Sequence, residues 1–123
     1  MKKILTLFLV LFLTIIVSSI TEAKNGSPLI YKIDIKKEIS NTTHLYLSNG
    51  LKEANTLKAD AVLIHLNTYG GLVDAADSMR TAILYSPIPV YVFIDNNAAS
   101  AGALISIACK KIFMRKIIMK KPN

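Results

Sequence analysis

Two short apolar runs constrain the fold of this 123-residue chain more than any other feature. Ala61 to Leu66 is an apolar run rich in β-branched residues, broken only by His65, as expected of a parallel strand covered on both faces. Val90 to Ile94 reads as a second buried strand. Each run gives way to small residues, Asn67-Thr68-Tyr69-Gly70-Gly71 after the first and Asp95-Asn96-Asn97-Ala98-Ala99-Ser100-Ala101-Gly102 after the second. Helical spacing follows each break: Leu72, Ala75, Ala76, Met79, Ala82 and Ile83 mark one face after the first, and Leu104-Ile105-Ser106-Ile107 follows the second. Ser86-Pro87-Ile88-Pro89 ends the first of these helices, because each Pro lacks a donor and disfavours helix before it.

The flanking segments fit the same alternation. Leu29 to Ile35 alternates, with Tyr31, Ile33 and Ile35 on one side and Lys32 and Asp34 on the other, which predicts a half-buried strand near a sheet edge. Ser40-Asn41-Thr42 offers helix caps, and Leu47, Leu51 and Ala54 recur at helical spacing to about Lys58. Lys111 to Met114 reads as a fourth strand. Strands alternating with helices imply an α/β domain with a mostly parallel sheet and right-handed crossovers.

The amino terminus has the three-part layout of a secretory signal peptide. Met1-Lys2-Lys3 is a basic head, Ile4 to Val17 carries no charge, and Thr21 and Ala23 fit cleavage before Lys24. Residues 1–23 are therefore expected to be a signal peptide or an N-terminal anchor, residues 24–28 a linker, 29–115 the domain and 116–123 a divergent basic tail. The expected location is exported or membrane-associated, on the extracytoplasmic side. The net charge of +7 comes from the two ends. Between Asn25 and Cys109, six basic residues (Lys32, Lys36, Lys37, Lys52, Lys58, Arg80) face seven acidic ones (Asp34, Glu38, Glu53, Asp60, Asp74, Asp77, Asp95), so this body nets −1. Such a balance carries no nucleic-acid footprint. Cys109 is the only cysteine, so no internal disulfide forms; no metal-ligand cluster and no cofactor motif is present, and neither is expected.

In a parallel sheet, residues just past the carboxyl ends of neighbouring strands meet in one crevice. Gly70-Gly71 and Ser100 both occupy that position. A Ser among small residues at a strand-to-helix turn is a nucleophile-turn arrangement, and the Ala101 N–H that follows can face a developing oxyanion. A second donor then comes from Gly70 or Gly71, since adjacent glycines permit backbone conformations closed to other residues. The blander alternatives are close helix packing around Ser100 and a tight turn at Gly70-Gly71. A phosphate loop fits poorly, because neither GxGxxG nor a P-loop Lys-Ser/Thr is present.

Leu63 to Ala76, with its Gly70-Gly71 centre, resembles the first glycine block of the membrane-associated, ClpP-class serine proteases of the NfeD family. Pro87 to Ala103 is similar to their nucleophile block. The resemblance runs from about Tyr31 to Arg115 and has both blocks in order. It implies a ClpP/crotonase-like fold of ββα units, an exported or membrane-attached location and homo-oligomerisation. It also implies peptide-bond hydrolysis, with apolar segments of stomatin-like membrane proteins as substrate. The residue matching Ser100 is the nucleophile in that family, and those matching Gly70, Gly71 and Ala101 surround the oxyanion.

A Ser hydroxyl needs a base. The family uses a Lys, and soluble ClpP relatives a His, some tens of residues after the nucleophile, and no matching residue follows Ser100 here. Lys116 to Asn123 matches nothing in the family pattern, so the expectation is a C-terminally incomplete, truncated member, inactive as this chain. His65 lies within a buried run, Lys110 and Lys111 in a charged segment, and His44 at a helix start, so none is expected to serve as base. Two further readings remain: a non-catalytic module binding peptides or joining an oligomer, and a crotonase-like acyl-CoA enzyme.

Overall fold

The computed structural model describes residues 1–18 and 26–116, without the side chains of 13–18. The expected cleavage region after Ser18 and most of the basic tail lie outside the described residues. Helix α1 covers Lys2–Ser18, and among the described residues no helix is long and apolar enough to cross a membrane.

The domain proper runs β1 (Ile30–Ile35), α2 (Asn41–Thr56), β2 (Ala61–Thr68), α3 (Val73–Leu84), β3 (Val90–Ala98), α4 (Ala101–Ile107), β4 (Lys111–Met114). The sheet order is β1-β2-β3-β4, and every pair is parallel. Each crossover helix advances the chain by one strand in the same direction. With right-handed connections this stacks α2, α3 and α4 side by side on one face of the sheet, α3 packing between the other two.

Burial follows from that stacking. Ile33 and Ile35 of β1, Val62, Ile64 and Leu66 of β2, and Val90, Val92 and Ile94 of β3 all point into the helices. Leu47, Leu51 and Ala54 of α2, Ala75, Ala76, Met79 and Ile83 of α3, and Ile105 of α4 meet them. The alternate residues Leu63, His65, Tyr91 and Phe93 are only half-buried. Among the described residues β2 is therefore covered by helices on one face, not on both as its apolar run suggested. The intervening Leu63 made the run look apolar on both sides, but it lies, with Phe93 of β3, on the face that carries no helix among the described residues. Leu72 also departs from expectation. It precedes α3 as its N-cap residue and is 54% exposed instead of joining the buried face.

Local chemistry sets the helix ends. Ser40 closes a capping box at the start of α2, exchanging bonds between its side chain and backbone and those of Thr43. At the other end Lys58 takes a positive φ of 53°, and Ala59 N–H reaches back to Ala54 O at 2.9 Å. That is a left-handed helix stop made without glycine.

Candidate active site

The carboxyl ends of β2 and β3 carry the two bends singled out in the sequence, and the structure brings them together. A Cβ built on Gly70 would stand 3.0 Å from Ser100 Cβ, 3.2 Å from Ala99 O and 3.5 Å from Ala101 N. Gly70 thus adjoins Ser100 because it has no side chain. Gly70 and Gly71 have φ of 117° and 151°, the region that favours glycine.

Ser100 itself has φ 51° and ψ −116°. It occupies the N-cap position of α4, where a Ser ordinarily accepts a bond from the first turn. Here the hydroxyl makes no capping bond. The residue is exposed. A sharp strand-to-helix turn with a positive φ is the geometry that presents a nucleophilic hydroxyl.

Amide bookkeeping separates the two glycines. Gly70 N–H donates to Thr68 Oγ1 at 3.1 Å, and Gly70 O accepts the Ile39 N–H at 2.8 Å. Gly70 is therefore committed on both sides. Gly71 sits opposite Ile39 in an isolated parallel bridge whose bonds run through its neighbours, Ile39 N–H to Gly70 O and Leu72 N–H to Ile39 O. Its own N–H, like that of Ala101, has no partner among the described residues. An unpaired amide next to Ser100, on Ala101, and another on the adjoining glycine bend, on Gly71, are donors of the kind that can hold an oxygen that becomes anionic.

Three residues of this neighbourhood went unread in the sequence. Ile39 is fully buried and ties the segment after β1 to the glycine bend. Thr68 is buried beneath the bend, and Asn67 Oδ1 accepts the Asn97 N–H at 3.1 Å. That last bond spans a register irregularity: Leu66 pairs with Ile94 but Thr68 with Ala98, so β3 continues past Ile94 instead of ending there. Asn67 and Thr68, separated from Gly70-Gly71 only by Tyr69, were the available signal, since both are turn-forming side chains.

The other candidates lie elsewhere. His65 is on the helix-free face, its Nδ1 2.9 Å from Asp34 Oδ1 and its Nε2 3.5 Å from Asp95 Oδ2, with Arg115 paired to Asp95. Lys32 and Lys36 pair with Asp34 as well; the bond and charge of Lys32, followed by the His65 bond and the charge of Lys36, hold its carboxyl below the usual range. Lys110 and Lys111 sit at the opposite edge of the sheet, where Lys110 N–H bonds Val90 O and Lys111 pairs with Tyr91 at the start of β3. His44 is half-buried in the first turn of α2. Burial pushes the Cys109 thiol up to about 12, so it is a core thiol in character. Among the described residues no group of His, Cys, Asp and Glu could hold a metal ion.

A groove of about 480 Å³ runs beside the glycine bend, lined by Lys36, Lys37, Glu38 and Asn67 to Gly71. Around that bend Tyr69, Leu72 and Val73 are 82%, 54% and 70% exposed, an apolar rim in an otherwise polar setting. A separate cavity of about 460 Å³ at the start of α2 shares Lys36 and Lys37 but neither bend.

Comparison with known proteins fits this geometry. Residues 29–119 match the family described as NfeD1b, N-terminal domain. Membrane protein NfeD1b of Bacillus subtilis is 35% identical over 92 residues, covering 75% of this chain and 21% of that protein. Membrane-bound protease PH1510 of Pyrococcus horikoshii is 32% identical over 117 residues, covering 93% and 25%. The chain thus spans about a quarter or less of the curated relatives it matches. Among solved structures, the 1510-N membrane protease of Pyrococcus horikoshii, specific for a stomatin homolog, superposes with a TM-score of 0.67 at 30% identity, over 72% of this chain and 46% of that one. A lysine-to-alanine mutant of 1510-N has been solved with a substrate peptide and gives the same TM-score. ClpP1 of Listeria monocytogenes gives 0.62 at 28% identity, over 64% and 46%. The two glycine- and serine-bearing bends, the parallel sheet and these likenesses agree, and the chain belongs to the NfeD1b family, with a ClpP-like protease fold.

Proposed function

We propose that this chain carries the nucleophile and the oxyanion-binding elements of a serine endopeptidase. Ser100 Oγ attacks the carbonyl carbon of a peptide bond, its proton passes to a base, and the carbonyl oxygen becomes an oxyanion between the Gly71 and Ala101 amides. Loss of one such donor typically costs about 3 kcal/mol of transition-state stabilisation. The observation that carries the reading is the pair of unpaired amides beside a Ser with φ 51° that caps nothing. Gly70 takes a spacing role instead, because its N–H is already bonded.

The substrate on this reading is an extended apolar segment. Exposed Tyr69, Leu72 and Val73 offer it apolar contact next to the bend. The similar protease from Pyrococcus horikoshii is specific for a stomatin homolog, which supports apolar segments of stomatin-like membrane proteins as the natural class. Residues 1–23 act as signal or anchor and place the domain on the extracytoplasmic side, in keeping with relatives that are named membrane proteins. The reading includes homo-oligomerisation, as the family resemblance implies.

No Lys or His bonds to Ser100 among the described residues, and His65 is held by Asp34. On this reading the base comes from outside the described residues, and Ser100 reacts slowly without one. That same observation favours the second reading, a module that grips apolar peptides without cutting them. A fluorophosphonate probe with added imidazole separates the two. The expected result is labelling that Ser100→Ala abolishes and that rises with imidazole, since an external base then takes the proton. A wild-type chain that labels no faster than Ser100→Ala, with or without imidazole, leaves the binding reading.

A further inference from the structure

We propose that Thr68 is a positioning residue of the Ser100 site, and that its hydroxyl decides which amide of the glycine bend stays open. The proposal rests on the reading of Ser100 as a nucleophile served by the Gly71 and Ala101 amides. Thr68 closes β2 and is only 2% exposed. Its Oγ1 accepts the Gly70 N–H at 3.1 Å and, 3.3 Å from Gly70 O, donates back to it. Its carbonyl accepts the Ala99 N–H at 3.1 Å. Its Cγ2 lies 2.7 Å from where a Cβ on Gly102 would stand. One residue thus touches the glycine bend, the residue before Ser100 and the residue two beyond it.

The need for such a contact follows from glycine. A Gly-Gly pair has little conformational preference of its own, so bonds from outside must fix its peptide planes. Ile39 fixes the bend from one side through Gly70 O and Leu72 N–H. Thr68 fixes it from beneath by taking the Gly70 N–H, which leaves Gly71 as the one glycine amide still free. Without the hydroxyl, the buried Gly70 would hold an unsatisfied N–H, and the bend would relax to satisfy it. The Gly71 amide would then shift with the bend, while Ala99 would still be held by the Thr68 backbone.

The bland alternative is that Thr68 only fills the space beside Gly102, and two variants oppose the readings. Thr68→Val keeps the shape and loses the hydroxyl; Thr68→Ser keeps the hydroxyl and loses the methyl. In the full chain with imidazole, Thr68→Val is expected to slow fluorophosphonate labelling of Ser100 by about tenfold or more, and Thr68→Ser to stay within about threefold of wild type. Amide exchange at Gly70 should quicken by about fivefold in Thr68→Val and hold in Thr68→Ser. Wild-type labelling and Gly70 exchange in Thr68→Val, or a larger loss in Thr68→Ser, overturns the proposal. If wild-type Ser100 does not label, the nucleophile reading fails by itself, and Gly70 exchange still decides whether Thr68 holds the bend. Should Thr68→Val unfold the chain, Thr68→Ala removes the same hydroxyl without crowding Gly102 and takes its place.

Discussion

Ile39 and Gly71 are so closely apposed that a Cβ on Gly71 would fall 2.1 Å from Ile39 O and 2.7 Å from Ile39 N. The contact is backbone against backbone, so no rotamer change relieves it. Gly71→Ala is therefore expected to break the Ile39 bridge and cost about 3 kcal/mol or more, from overpacking added to strain at φ 151°. Gly70→Ala meets Ser100 Cβ at 3.0 Å and should cost less, about 1–2 kcal/mol, while shifting Ser100. Urea unfolding of both variants checks the order; an equal loss would mean that the bridge does not hold the bend.

Much of this was legible in the sequence, and the reason lies in period. The strands at Ile30, Ala61, Val90 and Lys111 and the helices between them follow from alternation, apolar runs and Pro stops. Ser100 and the glycine pair were readable because parallel strands bring their carboxyl ends together. Which glycine keeps a free amide was not readable, since that depends on Ile39 and on the Thr68 hydroxyl, contacts fixed only in three dimensions. The helix-free face escaped notice for another reason. Leu63 and Phe93 are apolar whichever side of the sheet they line, so composition does not tell which face the helices cover.

Ser100 holds a positive φ with a Cβ, which stores strain of about 1–3 kcal/mol. Ser100→Gly releases that strain but adds about 0.5–1 kcal/mol of backbone entropy to be lost on folding. The variant is expected to be at least as stable as wild type, and more stable than Ser100→Ala, which keeps the Cβ. Denaturant midpoints of the three chains test this. A Ser100→Gly chain less stable than Ser100→Ala would show that the conformation is unstrained.

Gly102 and Thr68 are coupled through one methyl group. A Cβ on Gly102 would meet Thr68 Cγ2 at 2.7 Å inside the packed region. Gly102→Ala alone is expected to cost about 1–3 kcal/mol. Thr68→Ser removes the offending methyl, so the double variant should be less destabilised than the two single effects added together. A coupling of about 0.5 kcal/mol or more in a double-mutant cycle supports the contact, and strict additivity refutes it.

Asp34 gives the chain an acid-sensitive contribution on its helix-free face. Lys32, His65 and Lys36 surround its carboxylate and lower its affinity for protons in the folded state. A depressed folded pKa means that the unfolded chain binds the proton more readily. The stability from Asp34 is then fully present above the ordinary Asp value of 3.8 and is lost as pH falls through the lower folded value. Asp34→Asn should flatten that part of the curve, because an amide oxygen still accepts from His65 Nδ1 while the charge is gone. The side chain is 43% exposed, so solvent screens the effect and added salt should shrink it. Urea unfolding from pH 6 down to about 3, with and without added salt, reads out the difference between the two chains. Parallel curves over that range would mean that Asp34 titrates alike in both states and that its contacts with Lys32, His65 and Lys36 contribute nothing to folding.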